Sequence, residues 1–297
     1  MKYNIIDRPN ERSSHQTAII RGAGVLIPLA SLYWFQQSDF ELTWFIIGLI
    51  VISGISFLDD IHSQPIIARL LIHAVSILLL FHQVNFFDWH IWFLIGSFIV
   101  CVGTLSAFNF MDGINGITGL YAAVGLGTFC YIDQMIFSFT NEDLILTNLV
   151  GVVIFLFYNF RKKAKCFAGD IGSVALAFIQ IFFLLQLIQN TRSLLWVFLF
   201  LLFGVDSIVT IVYRILRKEN IFSPHRTHAY QYLANEWNWD HRTISLMIAC
   251  LQVIINTIII YSYLTSTLWL AIFVVCLYVV IYLYVRHTLE QRIAHSL

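Results

Sequence analysis

Leu42-Thr-Trp-Phe-Ile-Ile-Gly-Leu-Ile-Val-Ile-Ser-Gly-Ile-Ser-Phe-Leu58 carries no charge and ends directly on Asp59-Asp60. Extended a little into its flanks, such a run reaches the ~20 residues a bilayer demands of a helix. Working outward, nine more apolar stretches repeat the pattern, at about 22–37, 65–83, 91–108, 117–137, 144–158, 171–189, 194–213, 243–263 and 268–285. Only 11% of the 297 residues are charged and 59% are hydrophobic, with a mean hydropathy of +0.79. Soluble domains carry about 25% charged residues, so the chain is predicted to be an integral membrane protein. Helix-length spans exclude a barrel. The expectation is an all-α polytopic bundle of about ten transmembrane helices, residues 1–297 forming one membrane-embedded domain.

Lys and Arg orient it. With the N-terminus cytoplasmic, Lys2, Arg8, Arg12, Arg21, Arg69, Arg161, Lys162, Lys163, Lys165, Arg214, Arg217, Lys218, Arg226, Arg242, Arg286 and Arg292 fall inside and Arg192 alone outside. Sixteen against one is a strong positive-inside bias. The first 20 residues are polar and lack the apolar core of a signal peptide. Cys101, Cys130, Cys166, Cys250 and Cys276 are scattered and read as packing residues, not as a disulfide framework or metal site. No internal repeat is visible, which argues against transporters built on duplicated halves.

External loops are short, so function is expected on the cytoplasmic face, where four polar clusters abut spans. Asp59-Asp60 places adjacent carboxylates at the negative end of a helix, an arrangement a hard cation such as Mg²⁺ would relieve. An ordinary solvated terminus would look the same. Asn109-Phe-Met-Asp-Gly-Ile-Asn-Gly116 offers a carboxylate, two amides and glycines through which backbone N–H groups can approach a ligand; it matches no nucleotide-loop signature, and a polar turn is its bland reading. Phe167-Ala-Gly-Asp-Ile-Gly-Ser173 sets Asp170 and Ser173 where a span begins, a good cap and also a place that favours phosphate. His225-Arg-Thr-His228 lies in the longest loop, where two histidines three apart could share a helix face and, beside Arg226, hold a diphosphate; zinc ranks low for want of a third ligand. Asp206 is the acid inside a span, expected to be functional or to pair with Arg214 two turns on, whereas His73 and Asn256 are expected to make interhelical hydrogen bonds.

Taken in order, these motifs resemble the polyprenyl-phosphate N-acetylhexosamine-1-phosphate transferases of glycosyltransferase family 4. His225-Arg-Thr-His-Ala-Tyr-Gln231 is most similar to the branch that initiates bacterial O-antigen or capsule chains. The resemblance implies transfer of a GlcNAc, FucNAc or QuiNAc 1-phosphate from a UDP-N-acetylhexosamine to undecaprenyl phosphate with Mg²⁺, in the bacterial inner membrane. It also implies a homodimer by analogy; nucleic acid is not an expected partner. Carried over, Asp59, Asp60 and Asp170 are catalytic, with Asp59 and Asp170 on the metal. Asn109, Asp112, Asn115, Asn159 and Phe167 are on the nucleotide side, Phe167 stacking on uracil, and His225, Arg226 and His228 are near the diphosphate. Asp7-Arg-Pro…Arg12-Ser-Ser-His15…Arg21-Gly-Ala-Gly24 resembles a segment that helps bind the nucleotide. Departures are Asn115 where relatives often have a second Asp, which makes it a hydrogen-bonding residue, one extra residue between Asn159 and Phe167, and a start beside Asp7 where relatives usually have a preceding span. Tyr230 and Tyr232 are, with Arg226, candidates for sugar specificity. The alternatives are a phospho-MurNAc-pentapeptide transferase or, in a different class, a secondary transporter or flippase, which would carry charges near mid-membrane in both halves.

Overall fold

The computed structural model describes residues 6–7, 19–221, 223 and 225–296. Among the described residues the protein is all-α apart from a short antiparallel ribbon, β1 (Ile6–Asp7) with β2 (Ile19–Ile20). Its long helices are α1 (Leu26–Gln37), α2 (Thr43–Ile61), α3 (Ile66–Gln83), α4 (Ile91–Met111), α5 (Ile117–Met135), α6 (Glu142–Asn159), α7 (Gly169–Thr191), α8 (Leu201–Leu216), α10 (His241–Leu264) and α11 (Leu268–Ser296), with the single turn α9 (Ala229–Gln231) between α8 and α10. They fall on the ten predicted stretches. Among the described residues eight are long and apolar enough to cross a membrane, the one that contains α8 running from Leu194 to Leu216. The protein is thus a multi-pass membrane protein; α1 and α5 occupy the other two predicted positions.

α7 is the axis. Nearly all of its residues are buried, against α2, α4, α5 and α1, and an apolar sequence on every side is what a central helix needs. α11 is the opposite case, mostly turned outward toward lipid. The eighth span does not begin as α-helix: Leu194–Phe200 winds as a 3-10 helix first, and the Gln252 side chain repairs the break, accepting from Leu202 N–H (3.4 Å) and donating to the Leu199 carbonyl (3.0 Å). Asn256 accepts from that same Gln252 and donates to Thr128 (2.9 Å), the interhelical bond expected of it. His73 shows no such bond: it is buried, and among the described residues its Nδ1 has no partner.

One close approach positions the site. A Cβ on Gly24 would fall on the Cα of Gly172, so only glycine lets residues 22–25 cross the first turn of α7. Ala23 N–H then donates to the Phe167 carbonyl and Gly24 N–H to that of Ala168, both at 3.1 Å. The crossing carries Arg21 over the end of α2. Of the N-terminal segment singled out in the sequence, Arg8, Pro9, Arg12 and His15 lie outside the described residues, as does Pro224 before the histidine loop.

Candidate active site

Asp59 and Asp60 belong to the last turn of α2, as expected, and they do different things. Asp60 is 8% exposed and caps α7, accepting the N–H groups of Asp170 (2.9 Å) and Ile171 (3.1 Å). This satisfies two donors that a helix start leaves unpaired. Gly169 at φ 70° brings that start so close that a Cβ would meet both Asp60 oxygens, and Arg21 adds its charge at 3.6 Å. Asp59 instead accepts the Gln64 N–H (2.5 Å) and an Arg69 Nη1–H (2.7 Å).

Arg69 was not among the candidates from sequence. The same nitrogen that holds Asp59 lies 3.8 Å from the Asp170 carboxylate, so two carboxylates from different helices converge on one cationic atom. A cation in the first turn of α3 has the wrong sign for the helix dipole, and that mismatch is the signal that could have marked it. Asn109 closes the group from α4, donating to Ser173 (3.4 Å), whose hydroxyl in turn donates to the Gly169 carbonyl (3.1 Å). Among the described residues no three His, Cys, Asp or Glu side chains gather as a metal site.

The turn after α4 meets the histidine loop. Tyr230 is buried and donates to the Phe110 carbonyl (3.0 Å) with its hydroxyl packed on Gly113, so it struts the loop. Asp112 keeps some exposed surface, yet its carboxyl lies deep; burial pushes it up to about 6, with Arg21 opposing. Asn115 donates to the Arg161 carbonyl (2.9 Å). Asn159 donates to the Cys166 carbonyl (2.8 Å) and accepts Gly116 N–H (2.7 Å), binding two loops together. Phe167 is half-buried, its backbone paired with Ile20 and Ala23. Asn115 and Asn159 thus shape these loops through backbone contacts.

Two expectations for the histidine loop are corrected. His225 and His228 do not share a helix face: both precede α9, His228 capping it through Gln231, although their rings lie 5.0 Å apart. Asp206 does not pair with Arg214. Arg214 folds the chain after α8, bonding Glu219 and the carbonyls of Asn220, Ile221 and Ser223, while Asp206 takes His228 Nδ1 at 2.5 Å. The sequence offered a helix-spaced partner, and tertiary packing supplied a better one. Arg226, half-exposed, has Glu236 at 3.9 Å.

Burial, helped by His228 and Arg214, pushes His225 down from 6.5 to about 4. It is therefore neutral at pH 7 and offers a hydrogen bond, not a charge. Between pH 6.5 and about 4 the unfolded chain binds a proton that the folded one refuses, so stability is lost as pH falls through that window. His225→Gln is expected to gain melting temperature over the native protein at pH 5, with the gap closing by pH 8; pH-dependent thermal melting checks this.

The four clusters thus occupy one end of the bundle, around two arginines and four aspartates. A family model described as glycosyl transferase family 4 matches residues 42–188, which hold all of these groups except Arg21 and the histidine loop. A probable undecaprenyl-phosphate N-acetylglucosaminyl 1-phosphate transferase of Bacillus subtilis (strain 168) is 26% identical over 94% of this chain and 83% of its own length. An undecaprenyl-phosphate alpha-N-acetylglucosaminyl 1-phosphate transferase of Haemophilus influenzae is 27% identical, covering 76% of this chain and 70% of itself. A phospho-N-acetylmuramoyl-pentapeptide-transferase of Thermotoga petrophila is also 27% identical, over 61% and 69%.

Proposed function

As the chain belongs to glycosyl transferase family 4, we propose that it transfers an N-acetylhexosamine 1-phosphate from a UDP-sugar to undecaprenyl phosphate on the cytoplasmic face, giving undecaprenyl-diphospho-sugar and UMP. The observation that carries this reading is the convergence of Asp59 and Asp170 on one nitrogen of Arg69 at the membrane boundary, 2.7 and 3.8 Å away. A site for joining two phosphate compounds must bring anions together, and here acids and bases alternate within a few ångströms. A transporter or flippase coupled to ions would call for charges near mid-membrane in both halves; of the acids named above Asp206 alone lies deep within a span, whereas Asp59, Asp60, Asp112 and Asp170 gather at one end.

The donor set fits Mg²⁺. Two hard carboxylates meet at one point, and Mg²⁺ ordinarily takes only one or two carboxylates and completes its shell with water and substrate phosphate. Asp59 and Asp170 would hold it. When bound, it would draw the two phosphate groups together and stabilise the charge on departing UMP. Arg69 balances the paired carboxylates and offers its guanidinium to phosphate. Asp60 keeps the start of α7 in place, and with it the direction of the Asp170 side chain. Phe167 and the Asn109–Gly116 turn form the nucleotide side.

The lipid phosphate is already mostly dianionic at neutral pH, because the second pKa of such a monoester is near 6. Positioning and charge neutralisation therefore carry most of the catalysis. A lipid phosphate oxygen bonds to the sugar-bearing phosphorus as the bond from that phosphorus to the bridging oxygen breaks, the electron pair leaving with UMP. No proton needs to move. The finer reading, initiation of an O-antigen or capsule chain on GlcNAc, FucNAc or QuiNAc, rests on His225-Arg-Thr-His-Ala-Tyr-Gln231. Purified protein given a panel of sugar-labelled UDP-HexNAc donors with undecaprenyl phosphate should move label into extractable lipid; no label from any donor would overturn the assignment. UMP–UDP-sugar exchange without lipid would replace direct attack by a covalent aspartyl-phosphate route.

A further inference from the structure

We infer that Asp206 is a positioning residue for the transfer reaction, fixing the tautomer and direction of His228 so that its Nε2 faces the donor as a hydrogen-bond acceptor; this rests on the transferase reading above. The geometry is built from three elements. Asp206 is 4% exposed in the middle of α8. One of its oxygens takes His228 Nδ1 at 2.5 Å and the other takes the Ala229 N–H at 3.2 Å, so both ends of the carboxylate grip the loop just before α9. Beneath it Thr210 donates to Asp206 at 3.4 Å, and Arg286 of α11, 1% exposed, donates to Thr210 at 2.6 Å. A charged carboxylate so deep needs an opposite charge near it, and Arg286 supplies one through the hydroxyl. Arg286 also lies over the Tyr213 ring (4.8 Å), bonds Tyr282 (3.2 Å) and has Glu290 at 3.4 Å, contacts that hold it in place.

A carboxylate can only accept, so the hydrogen between Asp206 and His228 belongs to Nδ1. In the neutral ring Nε2 then carries a lone pair. His228 is 2% exposed, and among the described residues Nε2 has no hydrogen-bond partner. Buried polar atoms are rarely left so. The ring is flanked by Phe110, which leads into the Asp112 turn, and by His225. The unpartnered atom thus lies where the histidine loop packs on the turn after α4. A ligand group with an O–H or N–H would complete it.

The test uses the full chain labelled with ¹⁵N-histidine, His228 being assigned by the resonance lost in His228→Gln. In the native protein His228 should carry its hydrogen on Nδ1. Asp206→Asn presents an amide N–H to Nδ1 and should move the hydrogen to Nε2, with kcat/KM for UDP-GlcNAc falling roughly 10- to 100-fold, the usual cost of removing a partner that orients a histidine. If Asp206 acts through His228, Asp206→Asn added to His228→Gln should cost nothing more than His228→Gln alone. An unchanged tautomer in Asp206→Asn, native turnover, or losses that multiply in the double variant would each overturn the inference. Should Asp206→Asn fail to fold, an Nε2–H or doubly protonated His228 in the native protein would overturn it. An inactive native protein would sink the transferase reading and leave the tautomer result standing.

Discussion

Asp170→Asn should lower transfer by ~10³-fold or more, the scale on which charge stabilisation acts in phosphoryl transfer, while the protein melts where the native protein does. Two features separate its chemical role from its structural one. Asp60 holds Asp170 by its backbone N–H at 2.9 Å, and an asparagine keeps that bond. The Asp170 side chain itself is a quarter exposed and turned toward Arg69. The substitution therefore removes a negative charge from the point where the carboxylates converge and leaves the start of α7 capped. Turnover measured beside thermal melting of the same preparation checks this. Turnover near the native rate would remove Asp170 from the mechanism.

The adjacent aspartates should part company in the same experiment. Asp60→Asn is expected to lose transfer and stability together. Its carboxylate is the acceptor for two helix N–H groups, and an amide offers one acceptor where two were used. Losing such a cap costs about 1–2 kcal/mol, which lowers the melting temperature by a few degrees in a protein of this size. Asp59→Asn should lose transfer just as fully with far less change in melting. Its carbonyl can still accept the Gln64 N–H, and the lost partner, Arg69, is a third exposed and so gives an ion pair of only ~1 kcal/mol or less. Equal melting curves for the two variants would contradict this division, as would full activity in Asp59→Asn.

Much of this architecture was legible because lipid leaves a chain few options. Ten apolar stretches could only be helices, and counting Lys and Arg assigned their ends, so the meeting of Asp59-Asp60, Asn109–Gly116, Asp170 and His225–His228 at one end followed from parity. What stayed hidden depended on direction around a helix. Asp59 and Asp60 are neighbours in sequence but point about 100° apart on α2, one toward α3 and one toward α7, and nothing in the letters says which. The same ambiguity hid Arg69, which looked like one more inside charge. For Asp206 the nearest basic residue at helical spacing was the wrong partner, because its true partner comes from a loop folded back by Arg214. Asn159 drew notice as a nucleotide-side residue, yet its amide joins Gly116 to Cys166; a buried amide and a ligand-binding one look alike until the backbone is placed.

In the proposed reaction a phosphosugar moves as one unit onto the lipid. The most direct measurement supplies purified protein with undecaprenyl phosphate and a UDP-N-acetylhexosamine carrying ³²P on the sugar-bearing phosphate and ¹⁴C in the sugar. Both labels should appear in extractable lipid in equal amounts, with unlabelled UMP released in the same amount. Carbon label in lipid without phosphorus, or neither label with any such donor, would contradict it.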